Sequence, residues 1–452
     1  MWSVKTFEDL IVSPPSHFAE RIAAQIASLV PARSSILVGL SGGLDSVALL
    51  HLLSNISERY FWRISAVHVH HGISPKAGEW ADFCAALCAR QNIPLRIEHV
   101  DIAPLRGHGI EAAARKLRHA VFSGQACDFV ALAHHADDQA ETLLLQLLRG
   151  AGVRGAAAMP ILSELAGSHR LLRPLLNCSR KDIRAYAEAQ GLQWIDDESN
   201  ADDSYPRNFL RHRVLPVLER EFPAYRDTLV RSTRHFAEAN ELLDELARLD
   251  AGPALEGNTL QVAALRRLSL IRAKNLLRYF LHGQGAPLPR SAQLEEMLRQ
   301  LCEARQDAAV SVRYGDHQVR RYRDRAYVLP LATDFDRGLV LPWHGETTLE
   351  WPPLPARLRF SSVEGSGLSL QKLQRAPLTL RLRSGSELLR PYPAAAKRTL
   401  KNLLQQYNIP PWHRERMPLL FCGEELVCAV GVAMDCDYLA MENEEGVLVS
   451  CE

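Results

Sequence analysis

Residues 35–53 read SILVGLSGGLDSVALLHLL. Ile36 to Leu40 is a short apolar run of strand character, Ser41-Gly42-Gly43 is a turn, and the residues after it have helical composition. Strand, glycine turn and helix in that order aim backbone N–H groups and a positive helix end at one point, which is how α/β proteins hold a phosphate. The familiar phosphate loop ends in Gly-Lys-Ser/Thr, whereas this one offers Asp45-Ser46. A carboxylate beside a phosphate is repulsive unless a cation lies between them, and Mg²⁺ is held by one or two carboxylates together with phosphate oxygens. Asp45 therefore reads as a metal ligand or as a residue that positions one. Ser41, Ser46 and the N–H groups from Gly42 to Leu44 would cradle the anion. The plainer alternative is a strand–helix turn in which Asp45 faces the positive dipole end. Two adjacent glycines flanked by two hydroxyls exceed what such a turn needs.

Working outward, 452 residues at about 150 per domain suggest about three domains. Hydrophobic residues make up 47% and charged residues 23%, and the net charge is +1, so only local clustering can point to a charged partner. The first residues lack a basic start followed by a long apolar run, and no window approaches the ~20 apolar residues of a membrane span. Nine scattered cysteines fit reduced thiols better than a disulfide framework, so a cytoplasmic location is expected.

The neighbourhood of the loop alternates. SILVGL, RISAVHVHH, LRIEHVD and DFVALAHH read as strands, and helical segments lie between and after them. Such alternation predicts a parallel, doubly wound sheet covered on both faces, with ligands beyond the carboxyl ends of its strands. SGGLDS, HVHHG and HHADDQAE all fall there. From about Phe222 to Val310 the pattern turns helical, and Leu331 to Arg359 reads as strands or a linker into a last, small α+β domain. The expected division is 1–220, 221–330 and 331–452.

HHADDQAE places Asp137 and Asp138 at a helix start, with His135 at the strand end. Asp138 and Glu141 have capping-box-like spacing, which accounts for part of the cluster; a second carboxylate and the histidine exceed a cap's needs. A zinc-hydrolase reading leaves the glycine loop unexplained. In HVHHG, His68 and His70 alternate with valines, so one of them reads as a plain strand-face residue. Glu111 and Arg115 stand one helical turn apart and satisfy a surface i,i+4 pair equally well.

SGGLDS resembles the loop of the PP-loop ATP pyrophosphatases, which grip the β- and γ-phosphates as a leaving pyrophosphate and transfer AMP. That resemblance accounts for the missing lysine, because cleavage falls between the α- and β-phosphates. RPLL, WIDDESN and RNFLRHRV, between Leu171 and Val214, resemble the tRNA(Ile)-lysidine synthetase family in its three-domain form, as do HVHHG, EAAAR and HHADDQAETLLLQLLRGAG in the same order. The resemblance implies that ATP activates the C2 oxygen of the wobble cytidine in an isoleucine tRNA with a CAU anticodon. The amino group of free L-lysine then displaces AMP. The chemistry asks for Mg²⁺ and cationic donors at the α-phosphate, for which Asp45, Asp138 and Arg115 are candidates. It also asks for a group to take or position the lysine proton, from a pool of His135, Asp137, Asp197 and Glu141.

RSGSELLRPYPAAAKRTLKNLLQQYNIPPWHRERMPLL resembles the family's C-terminal domain. Read by itself, Lys372 to Arg416 carries ten basic residues against Glu387 and Glu415, the footprint of a phosphate-backbone contact. Leu400, Leu403 and Leu404 form the apolar side of a helix whose other side would present Lys397, Arg398 and Lys401. A second cluster containing Arg207 and Arg211 is a further candidate for the RNA. Two competitors are a PP-loop tRNA thiolase, which needs a reactive cysteine pair or an iron–sulfur cluster, and a non-catalytic nucleotide-binding sensor. Cys84 and Cys88 sit one turn apart in an apolar helix and read as core residues. The oligomeric state is open.

Overall fold

The computed structural model describes residues 15–452 except 73, 104–109, 166–168, 197, 199–201, 306–307, 332–333, 355 and 395, and only the backbone of 15–16 and 110–112. Two compact units divide the chain, Met1–Leu246 and Ala247–Glu452.

In the first unit β1 (Ser35–Gly39), β2 (Arg63–His70), β3 (Leu95–His99), β4 (Phe129–Ala131), β5 (Leu162–Glu164) and β6 (Arg170–Leu172) form one sheet of order β3-β2-β1-β4-β6-β5. All pairings are parallel except β5 with β6. The helices are α1 (Pro15–Ala27), α2 (Leu44–Tyr60), α3 (Ala77–Arg90), α4 (Ile110–Ser123), α5 (Ala136–Leu148), α6 (Val153–Ala156), α7 (Arg180–Ala189), α8 (Pro206–Phe209), α9 (Leu215–Glu221) and α10 (Tyr225–Ala251), whose last residues, from Ala247, belong to the second unit. Alternation along β1 sends Ile36 and Val38 to a core shared with α1, α2, α3 and α7. Leu37 goes to the opposite face, against Phe122 of α4. Both faces are therefore covered, as the near-continuous apolar strands predict. Leu49, Leu50, Leu52 and Leu53 of α2 are fully buried, and at roughly 2 kcal/mol each they fix the helix that carries the glycine loop. The order of strands reverses between β1 and β4, which opens a crevice beyond their carboxyl ends.

In the second unit β7 (Leu255–Glu256), β8 (Thr259–Gln261), β9 (Ser311–Tyr314), β10 (His317–Tyr322) and β11 (Arg325–Pro330) form an antiparallel sheet of order β7-β8-β11-β10-β9. It packs on α11 (Val262–Arg267), α12 (Leu270–Gly283) and α13 (Ser291–Glu303). The stretch expected to be helical thus holds a β-hairpin turning at Gly257, whose strands of two and three residues are too short to show a period. The remaining chain forms β12 (Val340–Pro342), β13 (Thr348–Trp351), β14 (Ala356–Glu364), β15 (Leu368–Ser369), β16 (Leu378–Arg381), β17 (Leu388–Leu389), β18 (Arg398–Thr399), β19 (Leu419–Cys422), β20 (Glu425–Ala429), β21 (Ala433–Met434) and β22 (Glu445–Cys451). With them come α14 (Leu370–Leu373), α15 (Leu400–Gln406) and α16 (Pro411–Arg414). Leu400, Leu403 and Leu404 are fully buried and Lys401 is exposed, as the pattern predicts. The helix starts later than expected, however. Thr399 caps it by accepting from the Asn402 N–H, so Lys397 and Arg398 precede α15 instead of lying on it. No helix of the described residues is long and apolar enough to cross a membrane.

Candidate active site

The loop after β1 carries out the geometry its sequence implies. Gly42 has φ +86°, and a Cβ there would lie 3.0 Å from Ile195 Cδ1 and 3.3 Å from Cys84 Sγ. Only glycine fits both the backbone and the space. Gly43 caps α2 without a side chain, which leaves the first N–H groups of the helix open to an anion. The hydroxyls of Ser41 and Ser46 lie 3.1 Å apart; Ser46 donates to the Gly43 carbonyl and Ser41 accepts from the Gly43 N–H. The segment WIDDESN, legible in the sequence only as a motif, braces this loop. Its Ile195 N–H donates to the Gly42 carbonyl at 2.9 Å, and the Ile195 side chain walls the turn. Asp197, in the same segment, lies outside the described residues.

Across the crevice, β4 leads into α5. His135 is 3% exposed and sits among three carboxylates, with Nε2 3.7 Å from Asp45 and 3.5 Å from Asp138, and Nδ1 3.6 Å from Asp137. One Asp45 oxygen, Oδ1, is buried with no hydrogen-bond partner. The structure therefore brings Asp45, His135, Asp137 and Asp138 together from two distant stretches of chain. Burial pulls the His135 imidazole down, but Asp138, then Asp45 and Asp137, outweigh it and leave its pKa raised. Burial pushes the Asp138 carboxyl up, yet His135, Arg207 and His134 hold it below the usual range.

Glu141 departs from the expected cap. Asp138 makes the capping contact, accepting from the His135 N–H at 3.0 Å. Glu141 is fully buried and accepts from Arg207 Nε (2.8 Å), Arg211 Nε (2.7 Å) and Arg211 Nη2 (2.9 Å). Arg207 also reaches Thr142 Oγ1, and Arg211 Nη2 lies 3.5 Å from Asp138 Oδ1. These arginines, four residues apart, project from α8 and the π-turn Leu210–Val214 that follows it. The sequence suggests an RNA surface for them, whereas their donors face inward onto the acid cluster. Asp137 is similarly occupied: it accepts from Arg226 of α10 at 2.6 Å and from the Arg180 N–H at the start of α7 at 2.9 Å. Nothing in the sequence marks Arg226, because its role exists only when α10 folds against α5.

Arg115 is exposed on α4. Its field, behind the larger effect of burial, helps lower Arg173 to about 10 and contributes to lowering His134 to about 3. The side chain of Glu111 lies outside the described residues. His68 is buried and its Nδ1 pairs with the Leu40 carbonyl at 2.9 Å, the strand-face role expected of one histidine in HVHHG. Cys84 and Cys88 are core residues, with burial pushing their thiols up to about 12 and about 11.

The residues fit a hard divalent cation. The donors are carboxylate oxygens, one is buried without a partner, and among the described residues the acids here do not converge into a ready-made cage. That is the donor set of an ion completed by phosphate oxygens.

A doubly wound sheet with this glycine loop at its switch point defines a nucleotide-binding domain of the PP-loop class, and the PP-loop domain family matches residues 14–218. The TilS substrate binding domain matches 260–327 and the TilS substrate C-terminal domain matches 378–451. The tRNA(Ile)-lysidine synthase of Nitrosomonas europaea is 45% identical over 415 residues, 91% of each chain. That of an Azoarcus species is 41% identical over 441 residues, covering 95% of this chain and 94% of its own. That of Coxiella burnetii is 35% identical over 428 residues, 94% of each. The chain belongs to the tRNA(Ile)-lysidine synthase family.

Proposed function

We propose that this protein is a ligase that uses ATP to join free L-lysine to C2 of the wobble cytidine in an isoleucine tRNA with a CAU anticodon. The observation that carries the reading is the glycine loop with Asp45 facing His135 and Asp138 across one crevice, in a chain of this family. The cytidine C2 oxygen attacks the α-phosphate, the bond between α- and β-phosphate breaks, and pyrophosphate leaves into the loop of Ser41, Gly42, Gly43, Leu44 and Ser46. The lysine ε-amine then adds at C2 and loses its proton, and the C2–O bond breaks to release AMP.

Mg²⁺, bound through Asp45 and Asp138, would supply charge neutralisation at the phosphates. Arg115 contributes positive potential at the α-phosphate. The lysine must attack as the neutral amine although its ordinary pKa is about 10.4; His135, flanked by carboxylates at both ring nitrogens, is the group we assign to receive or relay that proton, with Asp137 beside it. Arg207 and Arg211 align the acid cluster through Glu141, and any phosphate they meet is one at the reaction centre. Lys397, Arg398 and Lys401 are exposed and form a phosphate-backbone contact for the tRNA. The three segments 14–218, 260–327 and 378–451 support a division into a catalytic domain (1–220), a tRNA-contacting domain (221–330) and a linker with a C-terminal tRNA-binding domain (331–452). Nine free cysteines support a reducing, cytoplasmic setting.

The test is pyrophosphate release by the purified protein with ATP and tRNA, with and without lysine. Release that requires the tRNA, and incorporation of labelled lysine into it, support the reading. ATP turnover indifferent to tRNA overturns it, and sulfur transfer would mark the thiolase.

A further inference from the structure

The hairpin β10–β11 separates its residues sharply by face. Val319, Arg321 and Ala326 point to the helices and are buried, whereas Arg320, Tyr322, Arg325 and Tyr327 share the other face, with Arg320 opposite Tyr327 and Tyr322 opposite Arg325. On that face lies a cavity of about 310 Å³ lined by Gln261, Tyr322, Arg323, Asp324, Arg325, Tyr327 and Asn408. It stands at the low end of ligand sites, which run from about 300 to 1,000 Å³.

The walls are built. The Tyr322 hydroxyl accepts from buried Arg414 at 2.8 Å. Trp412 meets Tyr327 and Tyr322 edge-on, at 5.2 Å and 6.2 Å between ring centroids, and Arg320 lies 5.3 Å from the Trp412 ring. The charges in the lining are occupied: Asp324 binds Arg266 (2.7 Å) and the Ala263 N–H, Arg325 binds Glu256 (2.6 Å), and Arg323 donates to the Gln405 carbonyl (2.9 Å). Beside these paired charges, the rest of the lining is aromatic and amide. Among the described residues the amides of Gln261 and Asn408 and the Tyr327 hydroxyl have no hydrogen-bond partner. At the lip Arg323 occupies the hairpin turn at φ +54°, a conformation that favours glycine.

We propose that this cavity receives one unstacked nucleotide of the tRNA, its base against Tyr327 and Tyr322 and its polar edge on Gln261 and Asn408, with Arg323 at the backbone. The proposal rests on the reading of the chain as a tRNA-binding enzyme. A bare phosphate would ask for open cations, and an apolar peptide would leave the amides unpaired. Rings buttressed from behind, with an amide donor and acceptor beside them, suit a planar base.

In the full-length protein, Tyr327→Ala should weaken tRNA binding about tenfold without changing its salt slope, and Tyr327→Phe should retain most of the affinity. Arg323→Gly relaxes the turn but also removes the donor to the Gln405 carbonyl, so it should weaken tRNA binding with at most a small shift in melting temperature. Removing single bases from unpaired positions of the tRNA should reveal one position whose loss matches that of Tyr327→Ala and adds nothing to it. ATP affinity should be unaffected throughout. Unchanged tRNA affinity in folded Tyr327→Ala overturns the proposal, as does a loss accompanied by a flatter salt slope, which would mean a phosphate contact. If the unaltered protein binds no tRNA, the proposed function falls first and this proposal with it.

Discussion

Replacing Asp45 by Asn keeps the shape of the side chain and removes its charge. In the structure the carboxylate does little for the fold that an amide would not: Oδ1 has no partner, and Oδ2 stands 3.7 Å from His135 Nε2. A unit cation at that separation feels the carboxylate by about 4 kcal/mol at an effective dielectric constant of about 20. A divalent ion seated among these acids feels at least as much. At about 1.4 kcal/mol per factor of ten, Asp45→Asn should slow tRNA-dependent pyrophosphate release by about 10³-fold or more. Affinity for tRNA should be unchanged, because the phosphate backbone does not depend on this side chain. The assay is single-turnover pyrophosphate release at saturating ATP and tRNA, alongside a filter-binding titration with tRNA alone. Near-normal release by a folded variant would refute the metal role and leave Asp45 as a member of an ion-pair network only. Loss of tRNA binding in parallel would show that the substitution disturbed more than the crevice.

Replacing Lys397, Arg398 and Lys401 together by Ala should raise the apparent KM for tRNA and flatten its salt dependence, with ATP affinity intact; identical slopes in both proteins would reduce these residues to a solvated surface. Glu141→Gln removes the buried charge to which the half-buried Arg207 and Arg211 donate, so it should destabilise the first unit by about 1–3 kcal/mol and abolish activity. An unshifted thermal transition would show that the arginines find other partners. Replacing Cys84, Cys88, Cys127 and Cys178 by Ala or Ser should leave turnover largely intact apart from packing losses. Burial pushes these thiols up to about 11 or about 12, well above neutral pH, so native protein should also resist alkylation there until the pH is raised or the chain unfolds. Loss of activity in a folded cysteine variant would revive sulfur chemistry.

Local spacing was enough for some of this architecture. Strand–glycine–helix order in residues 35–53 implied an anion site with Asp45 in it, because a turn that exposes helix N–H groups is encoded by consecutive residues. Leu400, Leu403 and Leu404 announced a buried helix face for the same reason. The hairpin at Gly257 was not legible, since two or three residues cannot display a period. Nor was the start of α15, where a threonine cap, and not the basic run, sets the boundary.

The acid cluster divides the same way. The sequence by itself determined which side chains stand at the strand ends: Asp45 after β1, and His135, Asp137 and Asp138 after β4. Only the tertiary structure decided what each does there. It set Asp45 against His135 across a crevice created by the reversal of strand order. It turned Glu141 from an expected cap residue into a buried anchor for Arg207 and Arg211, and it tied Asp137 to Arg226 of a helix 89 residues away in sequence. Charge pairing in a low-dielectric interior depends on a few ångströms of separation, and that separation is fixed by the packing of distant segments.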